Sequence, residues 1–129
     1  MSASRSSSIV LLKRISFAAI CAPHGTPYKG SCAIAYIPKG KVVGFGRLNK
    51  LVKFLASQKP IQEDLTQRIV EEVMLNLAPQ ALAVVVTAKH KCMLDSGVPK
   101  GENEVTIIAL KGSFTTANAG ELILQLAKN

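Results

Sequence analysis

The sequence predicts an α+β domain in which two helices lie on one face of an antiparallel sheet. Two observations lead to this class. Segments rich in β-branched and apolar residues lie in pairs near both ends of the chain, and the segments between them repeat apolar residues at helical spacing. The predicted element order is therefore ββααββ with a tail. A chain of 129 residues that is 48% hydrophobic has the size of one domain with a packed core.

The first pair of strands is predicted from residues 8–22 and 31–38, where β-branched and apolar residues predominate. The intervening HGTPYKG contains glycine and proline and is predicted to be the turn between them. Residues 1–7 are rich in serine and are predicted to be a flexible N-terminus. The domain is therefore expected to span residues 8–129.

The middle of the chain predicts two amphipathic helices. In the first, apolar residues recur three or four positions apart at Leu48, Leu51, Val52 and Leu55. Pro60 then permits a second helix to start, and Pro79 closes it. Between these two prolines, an i, i+4 apolar stripe runs through Ile61, Leu65, Ile69, Val73 and Leu77.

The second pair of strands follows the helices. Residues 81–94 are rich in valine and predict the third strand, with His90 and Cys92 towards its end. Residues 104–114 predict the fourth strand, and DSGVPKGEN between the two is predicted to be a loop. A last short helix is predicted at residues 119–128.

The positive charge of the chain is concentrated in its first half. Residues 1–62 contain ten lysines or arginines and no acid, and the whole chain has a formal net charge of +8. A basic half can bind nucleic acid, contact a phosphorylated small molecule or keep the surface soluble. Solubility is the commonest explanation, and nucleic-acid binding is not favoured.

Simple sequence patterns indicate the cellular location of the protein and the redox state of its cysteines. No apolar run approaches the roughly 18 residues that a membrane span requires, so no membrane contact is expected. The start of the chain lacks a cleavage pattern, so a cytoplasmic location is expected, although its serine-rich, acid-free composition leaves an organelle transit peptide open. Three cysteines predict free thiols rather than a disulfide framework. Cys32, inside an apolar strand, is predicted to lie in the core.

Two pairs of thiol and imidazole side chains are candidates for a metal site. Cys21 and His24 lie together near the first predicted turn, and His90 and Cys92 lie together about seventy residues later. Zinc is bound by thiolate and imidazole ligands, and catalytic sites often use three protein ligands plus water. The spacing matches no zinc-finger pattern, so ordinary buried cysteines and hydrogen-bonded histidines remain the alternative.

Five sequence blocks are similar, in order and with compatible spacing, to those of the GTP cyclohydrolase I family. CAPHGTPYKG resembles the CEHH...P..G turn of that family, and AIAYIP resembles the strand after it. VVGFGRLNKLVKFLA resembles VIGLSKINRIV, and IQEDLTQRI resembles VQERLTQQI. AKHKCM resembles the strand AVHYCV. The chain is thus identified as a short, diverged member of the family.

The resemblance implies a fold, an assembly and a reaction. The fold would be the tunnelling fold, whose subunits associate into β-barrels that stack in pairs, with active sites between subunits and a decamer as the expected homo-oligomer. The reaction would convert GTP to dihydroneopterin triphosphate, opening the imidazole ring of this purine nucleotide and releasing formate.

The resemblance also implies roles for individual residues. The ligands of a catalytic Zn²⁺ would be Cys21, His24 and Cys92. His90 would be the acid/base histidine, and Glu63 would bind the amino-pyrimidine edge of the purine with Gln62 beside it. Without the resemblance, Glu63 would be a solvated acid in the first turn of a helix. Arg47 and Lys50 keep the basic character of positions near the phosphates.

Several positions depart from the family pattern. Pro23 replaces a second catalytic histidine and Ala22 replaces an acidic residue, while Gly46 and Ser96 replace a serine and an arginine that contact phosphate. Pro23 and Ser96 favour a second hypothesis, a catalytically weakened purine- or pterin-binding protein or partner subunit. A third hypothesis is a relative acting on 7-deazaguanines, but Tyr28 stands where those proteins have an aspartate.

Overall fold

The computed structural model describes residues 8–21, 25–41, 44–90 and 104–127. In these residues, four strands and three helices follow one another in the predicted order. Their bounds are β1 Val10–Cys21, β2 Thr26–Ile37, α1 Phe45–Ala56, α2 Gln62–Leu77, β3 Ala81–His90, β4 Glu104–Gly112 and α3 Gly120–Ala127. Residues 1–7, the predicted flexible terminus, and residues 91–103, which include the predicted loop, lie outside the described residues.

The four strands form one antiparallel sheet in the order β1-β2-β3-β4. Helices α1 and α2 pack on one face of this sheet, so the predicted α+β class, with two helices on one face, is confirmed. Helix α3 packs against β2 and β3 on the opposite face, a placement that the sequence did not indicate. No helix of the described segments is long and apolar enough to cross a membrane.

The main hydrophobic core lies between the sheet and the α1–α2 layer. The predicted helical stripes supply its upper side, with Leu48, Val52, Leu55, Leu65, Ile69 and Val73 all buried. Alternate residues of the strands supply the lower side, because successive side chains of a strand point to opposite faces. Each fully buried leucine or isoleucine stabilises such a core by roughly 2 kcal/mol.

A second, smaller core lies under α3. The sheet offers mainly small residues here, namely Ala33, Ala35, Ala83 and Val85. Leu126 of α3 is buried against them, and Leu122 and Phe114 pack at the margin. Small side chains on this face allow an eight-residue helix to approach the sheet closely.

The predicted turn at HGTPYKG is wrong over most of its length. Strand β2 begins at Thr26, and its first residues pair with the end of β1, with Lys29 opposite Ala18 and Tyr28 opposite Ala19. The chain reverses just before this point, where Gly25 adopts φ +63° and its N–H donates to the Cys21 carbonyl over 2.7 Å. Cross-strand pairing therefore outweighs the local turn preference of proline and glycine.

The fourth strand ends at Gly112, two residues earlier than predicted. Gly112 has φ +70°, and a Cβ at this position would collide with the Gln80 carbonyl oxygen. The chain turns there because only glycine fits both conditions. Phe114 lies beyond the strand and packs against the core under α3.

Cys32 lies in the main core, as predicted, with 1% of its surface exposed. Burial raises the pKa of the Cys32 thiol to about 12. The unfolded chain, with a thiol pKa of about 8.5, releases this proton at lower pH than the folded protein does. The contribution of Cys32 to stability is therefore fully present below about pH 8.5 and declines as the pH rises towards 12.

Iodoacetamide at about pH 8 is therefore expected to label Cys32 only after the protein unfolds, because the buried thiol keeps its proton. Peptide mass spectrometry with and without denaturant measures this directly. Labelling of Cys32 in the native protein at the denatured rate would contradict the buried assignment.

Candidate active site

Three of the strands bring candidate residues to one corner of the sheet. Cys21 is the last residue of β1 and His90 is the last residue of β3. Between them, Tyr28 of β2 pairs directly with Ala19 on one side and with His90 on the other. Cys21 and Tyr28 both belong to the main core, so this corner lies beneath the helices.

The metal ligands implied by the resemblance are only partly within the described residues. Cys21 is buried, with 7% of its surface exposed. His24 and Cys92 lie outside the described residues, one position before Gly25 and two positions after His90 in the sequence. Within the described segments, no three Cys, His, Asp or Glu side chains are grouped closely enough to hold a metal. The zinc-ligand assignment therefore stays a prediction.

Tyr28 links this corner to the start of α2. Its hydroxyl donates to the Pro60 carbonyl oxygen over 2.6 Å, and its ring meets Phe17 edge-on with the centroids 6.1 Å apart. Burial, together with the nearby acidic groups of Cys21 and Asp64, raises the pKa of Tyr28 to about 12. The phenol therefore stays protonated at neutral pH and remains a hydrogen-bond donor.

Sequence reasoning missed this role, because it placed Tyr28 in a turn. A signal was present in the alternation of residues 28–36, in which Tyr28, Cys32, Ile34 and Tyr36 are all core residues of one face. The Gly and Pro residues around Tyr28 concealed that period of two.

Gln62, the first residue of α2, is fixed to the sheet by its side chain. Its surface is 4% exposed, and its Nε2 donates to the carbonyl oxygens of Val86 and Val105, each over 2.9 Å. These two acceptors lie on β3 and β4, so one amide group joins both strands to the helix. This structural role was not predicted, and the substrate contact expected of Gln62 stays a prediction.

Glu63 has a different environment from its neighbour. It lies in the first turn of α2, as does Asp64, and both are exposed. Gln62 and Tyr28 hold the start of α2 against the sheet, and the Glu63 side chain next to Gln62 is exposed to solvent. A carboxylate in this position can accept hydrogen bonds from the N–H groups of a ligand.

Arg47 and Lys50 lie at the other end of the helical layer. Both are exposed on α1, and Arg47 lines a cavity of about 400 Å³ with Glu72 and Asn76 of α2. Asn76 is thirteen residues beyond Glu63 on the same helix, which corresponds to about 20 Å along its axis. One chain therefore does not bring Arg47 together with Glu63 and Cys21.

Comparison with known sequences gives a consistent result. The family model described as GTP cyclohydrolase I matches residues 1–127. GTP cyclohydrolase 1 of Coxiella burnetii (strain RSA 493 / Nine Mile phase I) is 35% identical over 106 residues, which are 82% of this chain and 58% of that protein. The corresponding protein of Methylococcus capsulatus is 36% identical over 109 residues, 84% of this chain and 59% of the relative. The chain thus spans just over half the length of these relatives.

Comparison with solved structures identifies the fold. The archaeosine synthase QueF-Like in its apo form aligns with a TM-score of 0.69 and 24% identity, covering 86% of this chain and all of that one. E. coli dihydroneopterin aldolase in complex with neopterin aligns with a TM-score of 0.61 and 10% identity, covering 81% and 99% of the two chains. Both are tunnelling-fold proteins, so the fold implied by the sequence resemblance is confirmed.

Proposed function

Because the chain belongs to the GTP cyclohydrolase I family, we propose that it is a zinc-dependent hydrolase that opens the imidazole ring of GTP or a related purine. The observation that carries this proposal is the corner of the sheet where Cys21, Tyr28 and the end of β3 meet below the start of α2. This corner contains the described positions that the family resemblance assigns to metal and purine binding.

The proposed zinc ligands are Cys21, His24 and Cys92. Two thiolates and one imidazole are a set that zinc prefers, and three protein ligands leave one coordination position open. The sheltered position of the Cys21 thiol at a strand end supports its place in this set. When bound, zinc supplies a Lewis acid that makes water nucleophilic near neutral pH.

His90 and Glu63 have separate proposed tasks. His90 would transfer protons during ring opening, since imidazole titrates close to neutral pH. Glu63 would accept hydrogen bonds from the amino-pyrimidine edge of the purine, which has two adjacent N–H donors. The exposed carboxylate beside the anchored Gln62 supports this second role.

We further propose that a complete active site forms between subunits of a ring, with a decamer as the assembly. The separation of Arg47 from Glu63 within one chain supports this, because a phosphate-binding end and a purine-binding end could then come from different copies. The edges of the sheet support it as well. Strand β1 exposes Leu11 and Ile20, and β4 exposes Ile108, at 41–45% of their surface. Open strand edges with apolar side chains favour pairing with another chain.

A second function is favoured by Pro23. If a histidine is required where this proline stands, the chain would bind zinc and a purine or pterin but turn over slowly or not at all. Loss of one acid/base group costs about 10²–10⁴ in rate. Such a protein would be a binding subunit or a partner of an active enzyme.

Formate release from GTP by the zinc-loaded protein tests the proposal. We expect formate and a fluorescent pteridine, after oxidation, in equal amounts. Inosine triphosphate, which lacks the exocyclic amino group, should react far more slowly. Binding of GTP without formate would instead support the weakened subunit, and no binding of GTP, of other purine nucleotides or of pterins would contradict both functions.

A further inference from the structure

A basic pocket lies on the opposite face of the sheet from the candidate active site. It has a volume of about 400 Å³ and is lined by Lys13, Arg14, Lys29 and Lys89, with Glu104 as the one carboxylate among its lining residues. Ser16, Ser31 and Thr87 contribute hydroxyl groups, and the last residues of α3, Leu126 and Ala127, form one wall. The pocket therefore combines several cations with neutral donors in one concave surface.

A β-bulge collects two of these cations on the same side. The β1–β2 register shifts between Leu12 and Ile15, so that Lys13 and Arg14 together occupy the place opposite Ala33. Leu12 and Ile15 both pack towards the main core, which a regular strand could not achieve at this spacing. Arg14 has φ +63°, a conformation that is uncommon for a residue with a side chain. Bulges of this kind redirect side chains and are frequent near functional sites.

The other two cations are direct neighbours on adjacent strands and lie on the same face of the sheet. Lys29 of β2 pairs directly with Lys89 of β3, and Lys89 pairs directly with Glu104 of β4. Like charges placed opposite one another in an antiparallel pair are unfavourable. None of the four cationic side chains forms an ion pair or hydrogen bond with another described residue. Glu104 is the one lining carboxylate set against this concentration of positive charge.

We propose that this pocket binds a small oligophosphate anion. Four cations against one carboxylate complement a ligand with several negative charges in a compact volume. The guanidinium of Arg14 offers paired N–H donors that match phosphate oxygens, and the hydroxyl groups of Ser31 and Thr87 can donate to the same oxygens. The pocket volume lies in the range of small-molecule sites, and α3 closes one side of it, so a compact ligand fits better than an extended polymer.

The pocket is separate from the proposed catalytic corner. Lys29 and Lys89 each immediately adjoin a residue of the main core, Tyr28 and Ala88, and point to the other face by strand alternation. Anion binding here therefore does not depend on zinc, on Glu63 or on turnover, and it can be tested by binding alone.

Isothermal titration calorimetry of the full chain with inorganic tripolyphosphate, at about 0.15 M salt, tests the proposal. We expect one tripolyphosphate per pocket, and about tenfold weaker binding in Lys29→Gln and in Lys89→Gln, because each change removes a charge-assisted contact. Glu104→Gln should tighten binding, since it removes the opposing carboxylate. Arg14→Gly should also weaken binding, and glycine adopts the positive φ of this position without strain. This variant therefore tests the pocket even if a lysine variant fails to fold.

Two control variants locate the effect. Lys111→Gln removes an exposed strand lysine outside the pocket, and Arg68→Gln removes an exposed arginine of α2 that neither lines the pocket nor belongs to the proposed substrate site. The proposal is overturned if these controls weaken binding as much as the pocket variants do. It is also overturned if the pocket variants leave tripolyphosphate affinity unchanged, or if an oligoglutamate peptide binds the pocket and tripolyphosphate does not.

Discussion

Replacing Glu63 by glutamine is expected to lower kcat/KM for GTP by about two orders of magnitude or more. The carboxylate would accept two hydrogen bonds from the purine, and bonds to a charged group contribute roughly 1.5–3 kcal/mol each. Glutamine has nearly the same shape, but it presents one donor group where the purine also has donors. Steady-state kinetics of formate release, with GTP affinity measured separately, would divide the loss between binding and turnover.

The matched control is Glu71→Gln, which removes an exposed carboxylate two turns further along α2. It should leave kcat/KM unchanged, and both variants should unfold at the same denaturant concentration as the parent, because neither carboxylate is buried. Equal losses of activity in the two variants would show a general charge effect and remove Glu63 from the proposed site.

Replacing Gln62 by leucine is expected to destabilise the fold by about 2–4 kcal/mol. The side chain is buried, and its amide donates to carbonyl oxygens on both β3 and β4. Leucine fits a similar volume but removes both hydrogen bonds and leaves two sheltered acceptors without this donor. Denaturant unfolding followed by circular dichroism measures the loss.

Gln67→Leu is the control for this stability effect, since Gln67 is exposed on the same helix. It should change the free energy of unfolding by no more than about 0.5 kcal/mol. A similarly small effect for Gln62→Leu would mean that the two hydrogen bonds contribute little, and that α2 is held over the sheet by apolar packing and Tyr28 alone.

The helical layer could be predicted from the sequence because its signal is local. Leu65, Ile69 and Val73 recur at a spacing that a helix places on one face, and Pro60 and Pro79 bound that segment on both sides. The structure confirms the segment to within two residues. The element order and the antiparallel sheet also followed from pattern, since paired strands on either side of two helices favour this arrangement.

The features that escaped prediction depend on contacts distant in sequence. Tyr28 lies among turn-forming residues, but strand pairing and a hydrogen bond to Pro60, thirty-two residues away, fix it in the core. In the sequence, Gln62 is only a polar residue at a predicted helix start. The fold brings the carbonyl oxygens of β3 and β4 within hydrogen-bond distance of its side chain. The bulge at Arg14 changes which alternate residues face the core, a change visible in the sequence only as a broken period.

The candidate site was predicted largely through family resemblance rather than spacing. From spacing alone, Cys21 and His90 belonged to two separate pairs of thiol and imidazole side chains about seventy residues apart. The β1–β2–β3 register brings their backbones to one corner, which supports the assignment. The position of Arg47 could not be foreseen, because only the packing of α1 against α2 shows which end of α2 it lies beside.

Zinc content measured together with formate release, in the parent protein and in Cys92→Ala, tests the central claim most directly. We predict one zinc per chain in the parent with formate released from GTP, and loss of both in the variant, while Cys32→Ala, a change of a core cysteine, keeps the zinc. A parent protein that binds no zinc after reconstitution, or a Cys92→Ala variant that keeps both zinc and formate release, would contradict the account.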